Sequence, residues 1–308
     1  MTRDPWKAAM LRGDFATAWT ISDRILRERI ERGESCLHRP RHEQYVWRGD
    51  SLRSRRVLVR CHHGLGDTIQ FVRLLAPLRR QARHTILWAP PALCGLLASV
   101  GGIDEIAPLH DGAPDCEYEA DIELMELAHY FRLTPTTIPN RVPYIYESAE
   151  PRSLDPRKAL HVGIAWQSGS WDPSRSIPSK LVARLGSVPD VRWYSLQYGA
   201  GDVPMPAHPM VDEDLLITAN RMRSLDLVIS VDTLTAHLAG ALGLPVWTLL
   251  PQPCDWRWMS RGERSPWYPT MRLFRQPRPG DWGSVIDEVC RRLDRQCRSE
   301  FIPTRSSY

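Results

Sequence analysis

No apolar run in the 308 residues approaches the ~18 needed to cross a bilayer, and residues 1–13 lack the apolar stretch that opens a signal peptide. A soluble, cytoplasmic protein is expected. Lysine is nearly absent: Lys7, Lys158 and Lys180 are the three among 40 basic residues, the rest being arginine. The net charge is only +4 and is spread along the chain, so no basic stripe points to nucleic acid as a partner. Seven cysteines, an odd number, form no Cys-x-x-Cys pair and no clustered Cys/His set, which points away from a zinc site of ordinary spacing and makes a reducing cytoplasm the simplest setting. Cys61, beside His62 and His63, reads as a small apolar filler at a strand end. The chain also lacks Gly-x-Gly-x-x-Gly, an acid about 20 residues beyond it, and Gly-Lys-Ser/Thr. Neither a dinucleotide oxidoreductase nor a mononucleotide loop is therefore expected.

Apolar residues make up 43% and charged residues 25%, ordinary for a globular chain of two domains. Residues 5–32 carry apolar positions at helical spacing with a break at Gly13-Asp14. Their pattern Ala8-x-x-x-Arg12-Gly13-Asp14-Phe15-x-x-Ala18 resembles one unit of a tetratricopeptide repeat, and one unit cannot form a solenoid. Beyond them, strand and helix patterns alternate, with strands at 57–59 and 85–88 and helices at 68–80 and 92–99. A stretch at 144–156, rich in Glu, Pro, Arg and Ser, reads as a linker. A second alternating series follows, with 161–166, 191–196, 227–230 and 246–250 extended and 179–185, 215–222 and 233–242 helical. A long loop over 251–279 precedes a last helix at 282–293. This alternation implies α/β architecture: a helical appendage (1–45), a doubly wound, Rossmann-like domain (46–150) and a second one (151–308). The carboxyl ends of the two sheets are expected to face each other across a cleft.

Two strand-to-helix turns carry the chemistry. After the apolar run ending at Ile229, Ser230-Val231-Asp232-Thr233 leads into Leu234, Thr235, Ala236 and His237. A helix start there leaves backbone N–H groups and a partial positive charge for a diphosphate, although Asp232 could equally be a simple N-cap. The other turn is His62-His63-Gly64-Leu65-Gly66-Asp67, with Asp67 at the mouth of the next helix; it is either a functional carboxylate or an N-cap. His237, among apolar neighbours, reads as well as a core histidine as a phosphate ligand.

Several blocks, in this order, resemble the bacterial lipopolysaccharide heptosyltransferase family of GT-B glycosyltransferases, in the branch that follows tetratricopeptide repeats. They are His63-Gly64-Leu65-Gly66-Asp67-Thr68-Ile69-Gln70, Gly163-Ile164-Ala165-Trp166-Gln167 with Arg175-Ser176-Ile177-Pro178, the block from Asp226 to Gly240, Asp255-Trp256-Arg257-Trp258 and Ser265-Pro266-Trp267-Tyr268-Pro269. The resemblance implies an inverting, metal-independent transfer of a heptose from a nucleotide diphosphate sugar, ADP-heptose, with no separate cofactor. It implies Asp67 as general base, the turn from Asp232 to His237 as the diphosphate site, and Arg175 on phosphate. Gln167, Ser168, Gly169, Gln197 and Tyr198 would approach the nucleoside, and His63, Gly64, Leu65 and Gly66 would form the acceptor-side turn. No Asp-x-Asp stands where it would hold a divalent ion, so backbone dipoles and Arg175 would stabilise the leaving group. The acceptor could be a glycan, a protein or a small molecule, and an oligomer is possible. The competing function is a catalytically silent nucleotide-sugar-binding scaffold on the same fold.

Overall fold

The computed structural model describes residues 4–146, 159–199 and 202–301, so most of the expected linker at 144–156 lies outside the described residues. The chain divides into two compact units, Met1–Tyr146 with Asp255–Pro269, and Glu147–Cys254 with Thr270–Tyr308. Among the described residues no helix is long and apolar enough to cross a membrane.

The first unit opens with α1 (Pro5–Leu11) and α2 (Phe15–Glu31). Each starts on an aspartate: Asp4 accepts the amides of Trp6 and Lys7 at 2.9 and 3.2 Å, and Asp14 accepts that of Thr17 at 3.2 Å. Gly13, at φ +77°, makes the break between them. The helices are bound into the unit. Trp19 Nε1 donates to the Leu133 carbonyl at 2.6 Å, and Arg132 grips Asp23 with bonds of 2.8 and 2.6 Å.

Four parallel strands follow, β1 (Arg56–Arg60), β2 (His84–Ala89), β3 (Glu105–Pro108) and β4 (Ala120–Glu123), in the order β3-β2-β1-β4. Between them run α3 (Leu65–Phe71), α4 (Leu75–Arg79), α5 (Pro91–Leu97) and α6 (Glu126–Tyr130). The single helix expected at 68–80 is in fact α3, a 3₁₀ turn at Val72–Leu74 and α4. Pro77 explains the interruption, because it has no N–H to donate and its ring clashes with the carbonyl four residues earlier. Segment 255–269 packs here as well, through the buried Arg73. The Arg73 guanidinium donates to the Trp267 carbonyl, to Tyr144 Oη at 2.8 Å and to the Gln70 carbonyl at 2.8 Å. It lies 4.3 and 4.5 Å from the ring centres of Tyr144 and Tyr268.

The second unit is a six-stranded parallel sheet of β5 (Leu160–Ala165), β6 (Val191–Ser195), β7 (His208–Pro209), β8 (Leu227–Val231), β9 (Val246–Leu250) and β10 (Met271–Arg275). The strand order is β10-β9-β8-β5-β6-β7. Its connecting helices are α7 (Ser179–Val182), α8 (Leu215–Met222), α9 (Leu234–Ala241) and α10 (Trp282–Phe301), the last running eight residues past its expected end. The loop expected at 251–279 is likewise not featureless, since it holds a 3₁₀ turn at Trp256–Trp258 and β10. β5 and β8 are buried along their whole length, so both sides of these strands are apolar and strict alternation is lost.

Numbered within its own unit, the second sheet has the doubly wound order 3-2-1-4-5-6, and the first has the same order cut short at 3-2-1-4. The order reverses at β1/β4 and at β5/β8. In open parallel sheets ligands bind beyond the strand carboxyl ends at such switch points.

Candidate functional site

At the β1/β4 switch point, helix α3 begins at Leu65, so Asp67 is its third residue and not its N-cap. Asp67 Oδ2 accepts the Gly64 amide at 3.1 Å. Gly64 sits at φ −65°, and its lack of a side chain matters because a Cβ there would lie 3.2 Å from that same carboxylate oxygen. Asp67 Oδ1 meets Arg257 Nη1 at 2.6 Å. Arg257, 8% exposed, also donates to Asp255 at 2.9 Å and to Gln70 Oε1 at 3.0 Å. Asp67 is thus fixed from two sides, by a backbone amide and by a buried guanidinium.

Across the switch point β4 delivers Glu123, 2% exposed, whose Oε2 accepts the Met125 amide at 2.7 Å and lies 3.7 Å from His63 Nε2. Burial pushes the Glu123 carboxyl well above the ordinary range. Burial also lowers His63 and takes His62 down to about 4, so both imidazoles are neutral near pH 7.

Glu126 Oε2 accepts the amides of Val46, Trp47 and Glu123, each at 3.2 Å, while burial raises its pKa to about 7. An acid raised on folding holds its proton better in the native state, so its contribution to stability is complete below about 4.5 and is lost as pH rises through about 7. Glu126→Gln removes that titration. Relative to wild type the variant is expected to gain on the order of 2 kcal/mol between pH 5 and pH 8, read from paired denaturant titrations at the two pH values. A constant difference would mean that Glu126 is ionised throughout.

At the β5/β8 switch point the loop after β5 carries Gln167, Ser168 and Gly169 and reaches Arg175 at the end of a 3₁₀ turn, Pro173–Arg175. Arg175 Nη1 donates to the Asp232 carbonyl at 2.8 Å. Its guanidinium carbon lies 4.1 Å from the ring centre of Trp171, a side chain 76% exposed. Two residues named from separate parts of the sequence are therefore in contact, at the start of α9. Thr233 is the N-cap and makes no side-chain cap bond. Ala236 donates to the Thr233 carbonyl at 3.1 Å, so the amides of Leu234 and Thr235 stand ahead of the helix's own bonds.

The remaining residues support this turn. Asp232 and His237 are 4% and 2% exposed, with Asp232 Oδ1 3.6 Å from His237 Nε2. Thr235 Oγ1 donates to the Leu196 carbonyl at 3.3 Å, and Ala236 is fully buried, so these positions can meet a ligand only through the backbone. Gln197 Oε1 accepts the amides of Trp166 and Gln167 at 3.1 and 2.9 Å, stitching the loops after β5 and β6 together next to the half-buried Tyr198. Among the described residues no group of three His, Cys, Asp or Glu side chains is placed to hold a metal ion.

No family model matches the chain. Protein FlbA of Caulobacter vibrioides is 24% identical over 295 residues, covering 80% of this chain and 48% of its own, so the chain spans about half the length of that curated relative. Among solved structures, the glycosyl transferase family 9 protein of Veillonella parvula superposes with a TM-score of 0.54 at 13% identity, over 82% of this chain and 99% of its own. TibC of enterotoxigenic E. coli, described as an iron-containing dodecameric heptosyltransferase and solved with ADP-D-β-D-heptose, superposes with a TM-score of 0.57 at 16% identity, over 80% and 78%. The chain has the heptosyltransferase fold. Within that fold the two clusters named from sequence fall at the two switch points.

Sequence reasoning gave no role to Glu123 or Arg257. β4 is four residues long and was not read as a strand, so its terminal acid carried no signal. Arg257 lies within the family-like segment Asp255-Trp256-Arg257-Trp258, but only the folded chain shows which carboxylate it meets.

Proposed function

We propose that the chain is an inverting, metal-independent glycosyltransferase that moves a heptose from ADP-heptose to an acceptor hydroxyl. The observation that carries this reading is Arg175 fastened to the Asp232 carbonyl, beside a helix start whose first amides precede its own hydrogen bonds. A nucleoside diphosphate is the ligand that such a site suits. The fold shared with TibC, which was solved with ADP-D-β-D-heptose, supports the choice of donor.

In this mechanism the acceptor oxygen attacks the anomeric carbon while the bond from that carbon to the diphosphate breaks, its electron pair going to the phosphate oxygen. Arg175 and the amides of Leu234 and Thr235 stabilise the charge growing on the departing diphosphate. Asp67 takes the proton from the attacking hydroxyl. Arg257 and the Gly64 amide keep that carboxylate in place.

A thermal-shift screen over ADP-, GDP-, UDP- and CDP-sugars tests the donor. A ligand at ~100 times its dissociation constant adds about 2.7 kcal/mol of stability, and ADP-heptose is expected to give the largest shift. No shift with any of the four would remove the reading. Arg175→Ala is expected to weaken ADP by roughly 1.5–3 kcal/mol and adenosine hardly at all, with lysine rescuing only in part. Equal losses for ADP and adenosine would place Arg175 away from the phosphates.

A further inference from the structure

Beside the β1/β4 switch point the first unit encloses a cavity of about 430 Å³, within the ~300–1,000 Å³ usual for small-ligand sites. Four tryptophans line it: Trp6 and Trp19 on the N-terminal helices, Trp47 ahead of the sheet and Trp256 in the 3₁₀ turn. Its polar lining includes His63 and Glu123. Glu123 Oε1 is buried and has no hydrogen-bond partner. A buried carboxyl oxygen left unpaired is costly, and a hydroxyl brought into the cavity would satisfy it. The four indole faces give an apolar body a large surface to pack against; Asp4, Arg29, Glu126 and His129 also line the cavity.

We propose that this cavity is a binding site for an alcohol or phenol whose hydroxyl is carried on an apolar, preferably aromatic, body, with that hydroxyl directed to Glu123 beside His63. Calling this ligand the acceptor rests on the glycosyl-transfer reading; the chemistry of the cavity does not. The same chemistry is offered by a tyrosine side chain in a protein and by a free small phenol. The N-terminal helices then have a defined task, because they supply Trp6 and Trp19 to the walls.

The test is ligand-observed NMR with four probes, p-cresol, toluene, N-acetyltyrosinamide and methyl α-glucoside, on the full chain and on Ile25→Trp. Ile25 lines the same cavity from α2 and is 45% exposed, so a larger side chain there narrows the entrance without entering the core. p-Cresol is expected to bind about tenfold more tightly than toluene, to weaken about tenfold in Ile25→Trp, and to outcompete methyl α-glucoside. Tighter binding of N-acetyltyrosinamide than of p-cresol would identify a protein source, and the reverse order a small molecule. Equal binding of toluene and p-cresol, an unaffected Ile25→Trp, preference for the glucoside, or no binding of any probe would each overturn the proposal. ADP affinity is measured in the same samples. If ADP fails to bind while p-cresol still does, the transferase reading falls and the cavity assignment stands.

Discussion

Asp67→Asn is expected to lower turnover by roughly 10²–10⁴-fold while leaving ADP affinity near wild type. Asparagine can still accept the Gly64 amide through its side-chain carbonyl, so the first turn of α3 keeps that bond. What it loses is the charge facing Arg257 and the capacity to take a proton. Arg257 retains Asp255 and Gln70, so the stability cost is about 1–2 kcal/mol, far too small to account for a loss of turnover on that scale. Single-turnover rates with ADP-heptose, alongside melting curves, separate the two effects. If Asp67→Asn kept turnover within a few-fold when chemistry limits the rate, Asp67 would be only a clamp for Arg257 and the helix start, and His63 would be the next group to test.

The second large effect is on stability. Arg73→Ala is expected to destabilise the first unit by about 3–5 kcal/mol, because it strands the carbonyls of Gln70 and Trp267 and empties the space between the Tyr144 and Tyr268 rings. At roughly 2–4 °C per kcal/mol for a unit of this size, its melting transition should fall by about 10 °C. Lysine should recover little of this, since one ammonium cannot reach the same acceptors and lie flat between two rings. A change below about 1 kcal/mol would show that segment 255–269 is held by its aromatic packing without Arg73.

Much of this was legible in the chain itself. Runs such as Leu225–Ile229 followed by Leu234, His237 and Leu238 mark the change from strand to helix spacing, and β8 and α9 stand where that change predicts. The weak places have physical causes. β3, β4 and β7 are four, four and two residues long, too short for a period to emerge. Pro77 split a helix whose apolar pattern reads straight through it. Arg175 and Asp232 were each visible as phosphate-site types, but their contact joins residues 57 positions apart. Arg257 and Asp67 are further apart still; the sequence offers Asp67 as an N-cap or a base, whereas in the fold Gly64 is the N-cap and Asp67, at the third helical position, holds the Gly64 amide and Arg257.

The central claim is that the start of α9 and Arg175 hold a nucleoside diphosphate without a metal ion. Calorimetric titration of ADP in excess EDTA tests it most directly. Binding to wild type that Arg175→Ala weakens by about tenfold or more, with adenosine affinity unchanged, is the predicted result. ADP binding that is absent in EDTA and returns with magnesium, or that is indifferent to Arg175, would contradict it.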